Sequence, residues 1–208
     1  MRLLHIQSSP RGTRSHSLAT ALAFIEAYRE AHPDHVVETL DLWSADLPAF
    51  DGAALQAKYA VLAGTPHGAD EAQAWAGVRR IIEHFKSFDR ILISAPMWNF
   101  GVPYRLKHYI DLIAQPGETF GWSAERGYFG LVEGHKAVIV HSSAGDYRPG
   151  SGAEAIDFQR PYLEFLLKFF GFVSVETLAV APTIAEPAVV DAAITDSLAQ
   201  ARELARRF

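Results

Sequence analysis

Hydroxyl groups crowd the segment from Ser8 to Ser17, which lies between an apolar stretch and a segment of helical period. The first turn of a helix offers unpaired N–H groups and a partial positive charge, and serine hydroxyls add donors, so this segment suits a single phosphate group. It contains neither GxxxxGK followed by Ser or Thr nor GxGxxG, which argues against a nucleoside triphosphatase and a dinucleotide-binding loop. The residues also allow a second interpretation, in which Ser15 only caps the helix and the other hydroxyls fill a loop.

Two further segments follow predicted strands and could hold a flat ring. Residues Met97–Phe100 combine apolar and aromatic side chains with the amide of Asn99, as the binding of a heterocycle requires. Residues Ser142–Gly145 are small, so their main-chain N–H groups can approach a ligand closely. Together the three segments describe a planar ring system with one phosphate tail, which fits flavin mononucleotide (FMN).

Short apolar stretches alternate with longer segments of helical period along the chain. This alternation predicts an α/β fold with a doubly wound, five-stranded parallel sheet and helices on both faces. Ligands of such sheets bind outside the carboxyl ends of the strands, where all three segments lie. The predicted strands are Arg2–Gln7, His35–Leu42, Arg90–Ala95, Lys136–His141 and Val173–Ala179, and the predicted helices are Ser15–Ala31, Ala69–Ser87, Val102–Ala114, Asp157–Phe170 and Pro187–Arg206.

Two long excursions, Trp43–His67 and Gln115–Gly134, interrupt this pattern. Irregular segments of that length inside an α/β domain tend to be functional loops or covers of a site. We therefore expect both excursions to have such a role.

The composition excludes several functional classes. The 208 residues include 19 Lys and Arg against 24 Asp and Glu, a formal charge of −5, and no cysteine. This length predicts one domain over residues 1–208. Without cysteine there are no disulfides, thiolate nucleophiles or iron–sulfur clusters, so redox chemistry needs another electron carrier. The mild acidity and scattered cations indicate no binding of nucleic acid or a membrane surface.

Targeting and metal signals are absent from the sequence. The run Met1–Gln7 is too short for the apolar core of a signal peptide, and no apolar stretch approaches the ~20 residues that span a bilayer, so we expect a cytoplasmic protein. The nine histidines form no HExxH pair, and His32 and His35 straddle a turn that contains Pro33. We therefore predict no metal site.

Several motifs in the same order resemble those of the FMN-dependent NADH-azoreductases, a flavodoxin-like group related to the NAD(P)H quinone reductases. The resemblance covers nearly the whole chain, with Trp98 in place of the family's usual tyrosine. The matching motifs are Ser8-Ser9 with Ser15-His-Ser17, Ala95-Pro-Met-Trp-Asn-Phe100, Leu106-Lys-His-Tyr-Ile-Asp111, Gly117-Glu-Thr-Phe120 and Gly130-Leu-Val-Glu-Gly134.

This resemblance implies a flavodoxin-like fold and an enzyme that oxidises NADH or NADPH and reduces quinones or azo compounds. The two electrons pass through bound FMN in a ping-pong order, because the cofactor carries the chemistry and no catalytic side chain is needed. The FMN contacts carried over from the family are Ser9, Ser15, His16, Ser17, Met97, Trp98, Asn99, Phe100, Ser142, Ser143, Ala144 and Gly145.

The resemblance also implies a homodimer with the active site at the interface. Phe120 and Trp122, with Tyr128 and Phe129 nearby, are then expected to form a substrate wall; the alternative is that these aromatic residues only cover the edge of the sheet.

One loop departs from the family pattern. Ser143 and Ala144 stand where the family usually has Arg and Gly, which removes a cation that would stabilise reduced flavin. Arg148 is the nearest candidate to replace it.

Two other functional classes compete with the enzyme. A flavodoxin-like electron carrier would pass electrons to a protein without nicotinamide turnover, but such carriers are usually strongly acidic. A relative without a cofactor would act only as a binding protein, and the loop hydroxyls and Asn99 argue against that class.

Overall fold

The computed structural model describes residues 1–66 and 68–208. Five of its strands form one parallel sheet, and two short strands form an antiparallel hairpin. The strands of the sheet are β1 (Arg2–Gln7), β2 (Val36–Asp41), β3 (Arg90–Pro96), β6 (Lys136–Ser142) and β7 (Ser174–Val180), and those of the hairpin are β4 (Phe120–Ser123) and β5 (Gly127–Gly130).

Helices cover both faces of the sheet. One face packs against α1 and α6, through Phe24 and Leu204. The other packs against α3, α4 and α5, through Phe85, Tyr109 and Leu163. The described helices are α1 (His16–Ala31), α2 (Gly52–Ala63), α3 (Ala69–Lys86), α4 (Tyr104–Ile113), α5 (Arg160–Phe170) and α6 (Pro187–Arg207).

The strand order β2-β1-β3-β6-β7 confirms the predicted doubly wound sheet. The chain moves outward from β1 to β2, then returns to place β3 on the other side of β1, so the order reverses between β1 and β3. The register pairs Gln7 with Ser94 and Pro96 with Ser142. The loops after β1, β3 and β6 therefore leave the sheet at the same edge.

The first excursion is less irregular than predicted, because it contains α2. The carboxylate of Asp51 accepts hydrogen bonds from the N–H groups of Ala53 and Ala54, and Gly64 ends the helix with a φ of 65°. Only Ala54 and Ala57 of this helix are buried, so no apolar stripe marks it in the sequence. The excursion's last residue, His67, lies outside the described residues.

The second excursion contains the β4–β5 hairpin, which was also not predicted. Its strands have four residues each and a Gly at three of the eight positions, so they lack the alternation that identifies longer strands.

Helix α5 begins three residues later than predicted. The carboxylate of Asp157 accepts hydrogen bonds from the N–H groups of Gln159 and Arg160, so Asp157 stands before the helix. No helix in the described part of the chain is both long and apolar enough to cross a membrane.

Candidate functional site

The loops that follow four strands of the sheet enclose a cleft of about 350 Å³ at its carboxyl edge. We call it the strand-end cleft. Eight of the twelve predicted contact residues line it, and four residues that were not predicted complete the lining. The predicted residues are Ser9, Ser15, His16, Met97, Trp98, Ser142, Ser143 and Ala144; the others are Arg11, Pro96, Thr183 and Ile184.

Buried serines on the loop after β1 form one wall of the cleft. Ser15 caps α1, with its Oγ accepting a hydrogen bond from the N–H of Leu18 at 3.3 Å. Its Oγ also lies 3.3 Å from the Oγ of Ser17, and Ser9 Oγ accepts from the N–H of Arg11 at 3.4 Å. These contacts are long and use the oxygens mainly as acceptors, so hydroxyl protons remain to be donated to a ligand.

The start of α1 adds main-chain donors to the same wall. The N–H groups of His16 and Ser17 belong to the first helical turn, which has no carbonyl oxygen of its own helix to bond to. Within the described residues, Arg11 is the one arginine or lysine that lines the cleft. Hydroxyl groups, main-chain N–H groups and one guanidinium thus converge there, as anion binding requires.

A contact with the first excursion fixes this wall. The indole Nε1 of Trp43 donates to the carbonyl oxygen of Ser8 at 2.9 Å. The Trp43 ring also packs against the rings of Trp98 and Tyr104, with centroid distances of 5.9 and 5.4 Å. Trp43 therefore connects the loops after β1 and β3.

A tight turn of unusual conformation forms the second wall. Trp98 and Gly101 exchange two main-chain hydrogen bonds of 2.9 Å around Asn99 and Phe100. The φ angles of these central residues are 48° and 67°, which defines a turn of the type I′ kind. Asn tolerates the left-handed region, but Phe adopts it at a cost of about 1–3 kcal/mol, and such strain concentrates at ligand sites.

The same turn faces a second, more open hollow on its outer side. This aromatic hollow has a volume of about 500 Å³. Asn99 lines it rather than the strand-end cleft, and Trp98 lies between the two. The other residues that line the hollow are Gly101, Val102, Tyr104, Lys107, Phe158 and Tyr162.

Three predicted contacts lie outside the lining of the strand-end cleft, in addition to Asn99. Ser17 is fully buried behind Ser15. Phe100 is 45% exposed at the tip of its turn. Gly145 follows the lining residues, and its carbonyl oxygen accepts a hydrogen bond from Ser143 Oγ at 2.8 Å.

The predicted substrate wall does not reach the cleft within one chain. Phe120 packs against Phe169 near the end of α5, with ring centroids 4.7 Å apart. Trp122 lies on the same hairpin and is 64% exposed. The hairpin lies at the amino ends of the strands, whereas the cleft lies at their carboxyl ends. These two residues can therefore reach a cleft only if it belongs to another copy of the chain.

Arg148, the candidate to replace the arginine that the family carries in the loop after β6, does not line the strand-end cleft. Its guanidinium donates two hydrogen bonds to Asp146, at 2.9 and 2.7 Å, and this pairing lowers the pKa of the Asp146 carboxyl. Arg148 lines a different cavity, a groove of about 460 Å³ along the edge strand β7. We call this cavity the edge groove.

The residues that sequence reasoning missed are Arg11, Trp43, Thr183 and Ile184. Arg11 was within the segment identified as a phosphate loop, so its charge could have singled it out. Thr183 and Ile184 follow β7, and the rule that ligands bind at strand carboxyl ends could have identified their loop. No local signal indicates the bond from Trp43 to Ser8, because it joins residues 35 positions apart.

Comparison with protein families matches residues 1–205 to the flavodoxin-like fold. A protein of Nitratidesulfovibrio vulgaris strain DP4 named FMN-dependent NADH:quinone oxidoreductase is 44% identical over 207 residues, which cover 99% of each chain. A Pseudomonas fluorescens protein with a name of the same type is 43% identical over 209 residues, covering 100% of this chain and 97% of the relative.

A solved structure gives the same result. The crystal structure of an azoreductase from Bacillus anthracis strain Sterne superposes with a TM-score of 0.92 at 27% identity, over 100% of both chains. The chain therefore belongs to the flavodoxin-like family of FMN-dependent NADH:quinone oxidoreductases and NADH-azoreductases.

Proposed function

We propose that the protein is an FMN-dependent NADH:quinone oxidoreductase that also reduces azo compounds. The observation that carries this proposal is the strand-end cleft, where anion-binding donors at the start of α1 adjoin an apolar and aromatic wall. Its relatives' names add NADH as the reductant and quinones as the acceptors. We further propose that it works in the cytoplasm, where NADH is available, and that residues 1–208 act as one domain.

The chemistry of the cleft fits FMN. A phosphate ester needs several donors, and Ser9, Ser15, Arg11 and the first N–H groups of α1 supply them. A flat ring needs an apolar face and polar groups at one edge, which Met97, Trp98 and the main chain of Ser142–Gly145 supply. We propose that these residues hold the cofactor.

When bound, FMN supplies two-electron chemistry between a nicotinamide and a quinone or azo compound. The protein's own part is to bind, orient and shield. The start of α1 fixes the phosphate end, and the strained turn at Asn99 and Phe100 places the aromatic wall. We propose no general acid or base, because the titratable residues that line the cleft, Arg11 and His16, belong to its phosphate end.

Steady-state kinetics test this function. NADH oxidation by the FMN-loaded protein should require a quinone or an azo dye, and double-reciprocal plots should give parallel lines. An electron carrier would instead accept electrons from a protein donor without turning over NADH. Failure to oxidise NADH with any quinone, in protein that holds FMN, would overturn the enzymatic proposal.

We also propose that two copies assemble and complete each other's sites. A row of exposed aromatic side chains follows α5 toward the hairpin: Phe158 is 62% exposed, Phe165 66%, Tyr128 66% and Trp122 64%. Several exposed large aromatic side chains along one helix and the adjoining hairpin are typical of a protein interface.

The course of α5 supports a twofold arrangement. The helix begins beside the cleft, where the N–H of Phe158 donates to the carbonyl oxygen of Phe100. It ends beside the hairpin, where the N–H of Val132 donates to the carbonyl oxygen of Phe170. A twofold axis across the middle of α5 therefore brings the hairpin of one copy to the cleft of the other, and Phe120 and Trp122 with it.

Substitution at the centre of this row tests the assembly. Phe165→Glu should give a monomer in light scattering and lower kcat/KM for quinone. Leu22→Glu, at an exposed apolar position on α1, is the matched control and should remain dimeric and active. A fully active wild-type monomer at low concentration would contradict the shared site.

A further inference from the structure

Thr183 makes an unusual set of hydrogen bonds to the loop after β6. Its side-chain hydroxyl donates to the carbonyl oxygen of Ser143 at 3.0 Å, and its N–H donates to the same oxygen at 3.0 Å. The N–H groups of Thr183 and Ile184 both lie 3.2 Å from the carbonyl oxygen of Ala144. Two successive carbonyl groups of the loop after β6 are thus held by the loop after β7.

Holding these carbonyl groups also orients the N–H groups of the same peptides. In a trans peptide, the C=O and N–H bonds point in opposite directions. The carbonyl groups of Ser143 and Ala144 point to the β7 loop, so the N–H groups of Ala144 and Gly145 point away from it. Within residues 1–66 and 68–208, neither N–H group has a hydrogen-bond acceptor.

The next peptide of the loop is fixed as well. The hydroxyl of Ser143 donates to the carbonyl oxygen of Gly145, so three carbonyl groups in a row have donors from fixed groups. Ser143, Ala144 and Thr183 all line the strand-end cleft. The arrangement therefore leaves two neighbouring N–H donors unpaired within the described residues, beside residues that line the cleft, with no cation among Ser142–Gly145.

We propose that Thr183 is a positioning residue, which fixes the N–H groups of Ala144 and Gly145 as a donor pair for the carbonyl-bearing edge of the flavin ring. This inference rests on the proposed function, because it takes FMN as the ligand. It explains how the loop can donate hydrogen bonds to that edge of the flavin although Ser143 and Ala144 stand where the family usually has Arg and Gly. Donors that are already fixed need no reorganisation when negative charge develops on the carbonyl oxygens of the flavin ring.

The side-chain hydroxyl is the part of this arrangement that substitution can remove alone. Thr183→Val keeps the size of the side chain and both main-chain bonds, and it loses only the bond to Ser143. We expect FMN binding to weaken by about three- to tenfold, the effect of one net hydrogen bond. The midpoint potential of bound FMN should also become more negative, because the donor pair stabilises the electron-rich reduced form most.

Two control variants separate positioning from simple stability. Thr183→Ser retains the hydroxyl and should restore both the affinity and the potential. Thr177→Val makes the same change on β7 at a residue that lines the edge groove, and it should leave both unchanged.

The possible outcomes are distinct. If Thr183→Val lowers only the melting temperature, with the affinity for FMN and the potential unchanged, Thr183 is a structural residue and the inference is wrong. If Thr183→Ser behaves like Thr183→Val, the hydroxyl is not the active feature and the inference is also wrong. Failure of the wild-type protein to bind FMN would instead overturn the proposed function.

Discussion

The strand-end cleft and the edge groove are neighbouring cavities at the carboxyl ends of β6 and β7. Neighbouring residues separate them: His141 lines the groove and Ser142 the cleft, while Pro182 lines the groove and Thr183 the cleft. The groove is the larger of the two, at about 460 Å³ against 350 Å³. Size therefore does not distinguish the proposed ligand site.

The two cavities differ in whether their cations are paired with carboxylates. In the groove, Arg148 pairs with Asp146, and Arg160 pairs with Glu164 at 3.1 Å and lies 3.5 Å from Asp157. In the cleft, Arg11 forms no ion pair with a carboxylate of the described residues, and the N–H group of Ala144 has no acceptor among them. Because a phosphate binds where a cation and N–H donors are not already engaged by carboxylates, this difference is the better indication of the ligand site.

The largest effect is expected from removing donors of the cleft. Replacing Ser9 and Ser15, which both line the cleft, together with Ala should weaken FMN binding at least about 100-fold, because each bond to a charged phosphate contributes more than a neutral one. An equilibrium titration followed by flavin fluorescence measures this. Ser44→Ala, at a serine outside the cleft that bonds only to the main chain of Asp41, is the control. Unchanged affinity in the double variant would show that the loop is not the phosphate site.

The stability of the protein should depend on pH through His141, which lines the edge groove. Burial lowers the pKa of His141 to about 4, with Arg160 and Arg148 adding to the effect and Asp157 opposing it. The unfolded chain, with an ordinary histidine pKa, binds this proton more readily, so stability falls as the pH falls below about 6.5. Between pH 7 and pH 5 the loss attributable to His141 is about 2 kcal/mol.

Denaturant unfolding at both pH values measures that loss. His141→Asn should reduce the difference between the two pH values, whereas Thr177→Val, at a residue of the same groove that does not titrate, should not. An unchanged difference in His141→Asn would mean that this side chain does not contribute to the pH dependence.

A smaller effect, specific to the phosphate, is expected at Arg11. Arg11→Gln should weaken FMN binding about tenfold, the contribution of one charge-assisted bond at a partly exposed site, and leave riboflavin binding unchanged. Arg14→Gln is the matched control, because Arg14 lies three residues further along and does not line the cleft. Equal weakening of FMN and riboflavin would contradict a contact between Arg11 and the phosphate.

The smallest effect is expected at Arg148. Because its guanidinium is paired with Asp146 in the edge groove, Arg148→Gln should leave FMN affinity and the flavin potential unchanged. A potential that shifts in this variant would show that Arg148 acts on the flavin, and the distinction between the two cavities would no longer hold.

The sequence predicted the sheet well because its signals are local. The β-branched stretches, the helical periods and the strand-end rule were sufficient to place the three loops that meet at the cleft. Helix α2 and the hairpin were missed because neither has an apolar stripe or an alternation of adequate length. The hydrogen bonds of Thr183 could not be predicted, because they join the loop after β7 to the loop after β6, 40 residues away along the chain.

Parallel titration of the cofactor-free protein with FMN and riboflavin tests the central claim most directly. The claim is that donors of the strand-end cleft hold a flavin by its phosphate. It predicts one FMN per chain, bound at least about 100-fold more tightly than riboflavin. Absence of FMN binding, or equal affinity for the two flavins, would contradict it.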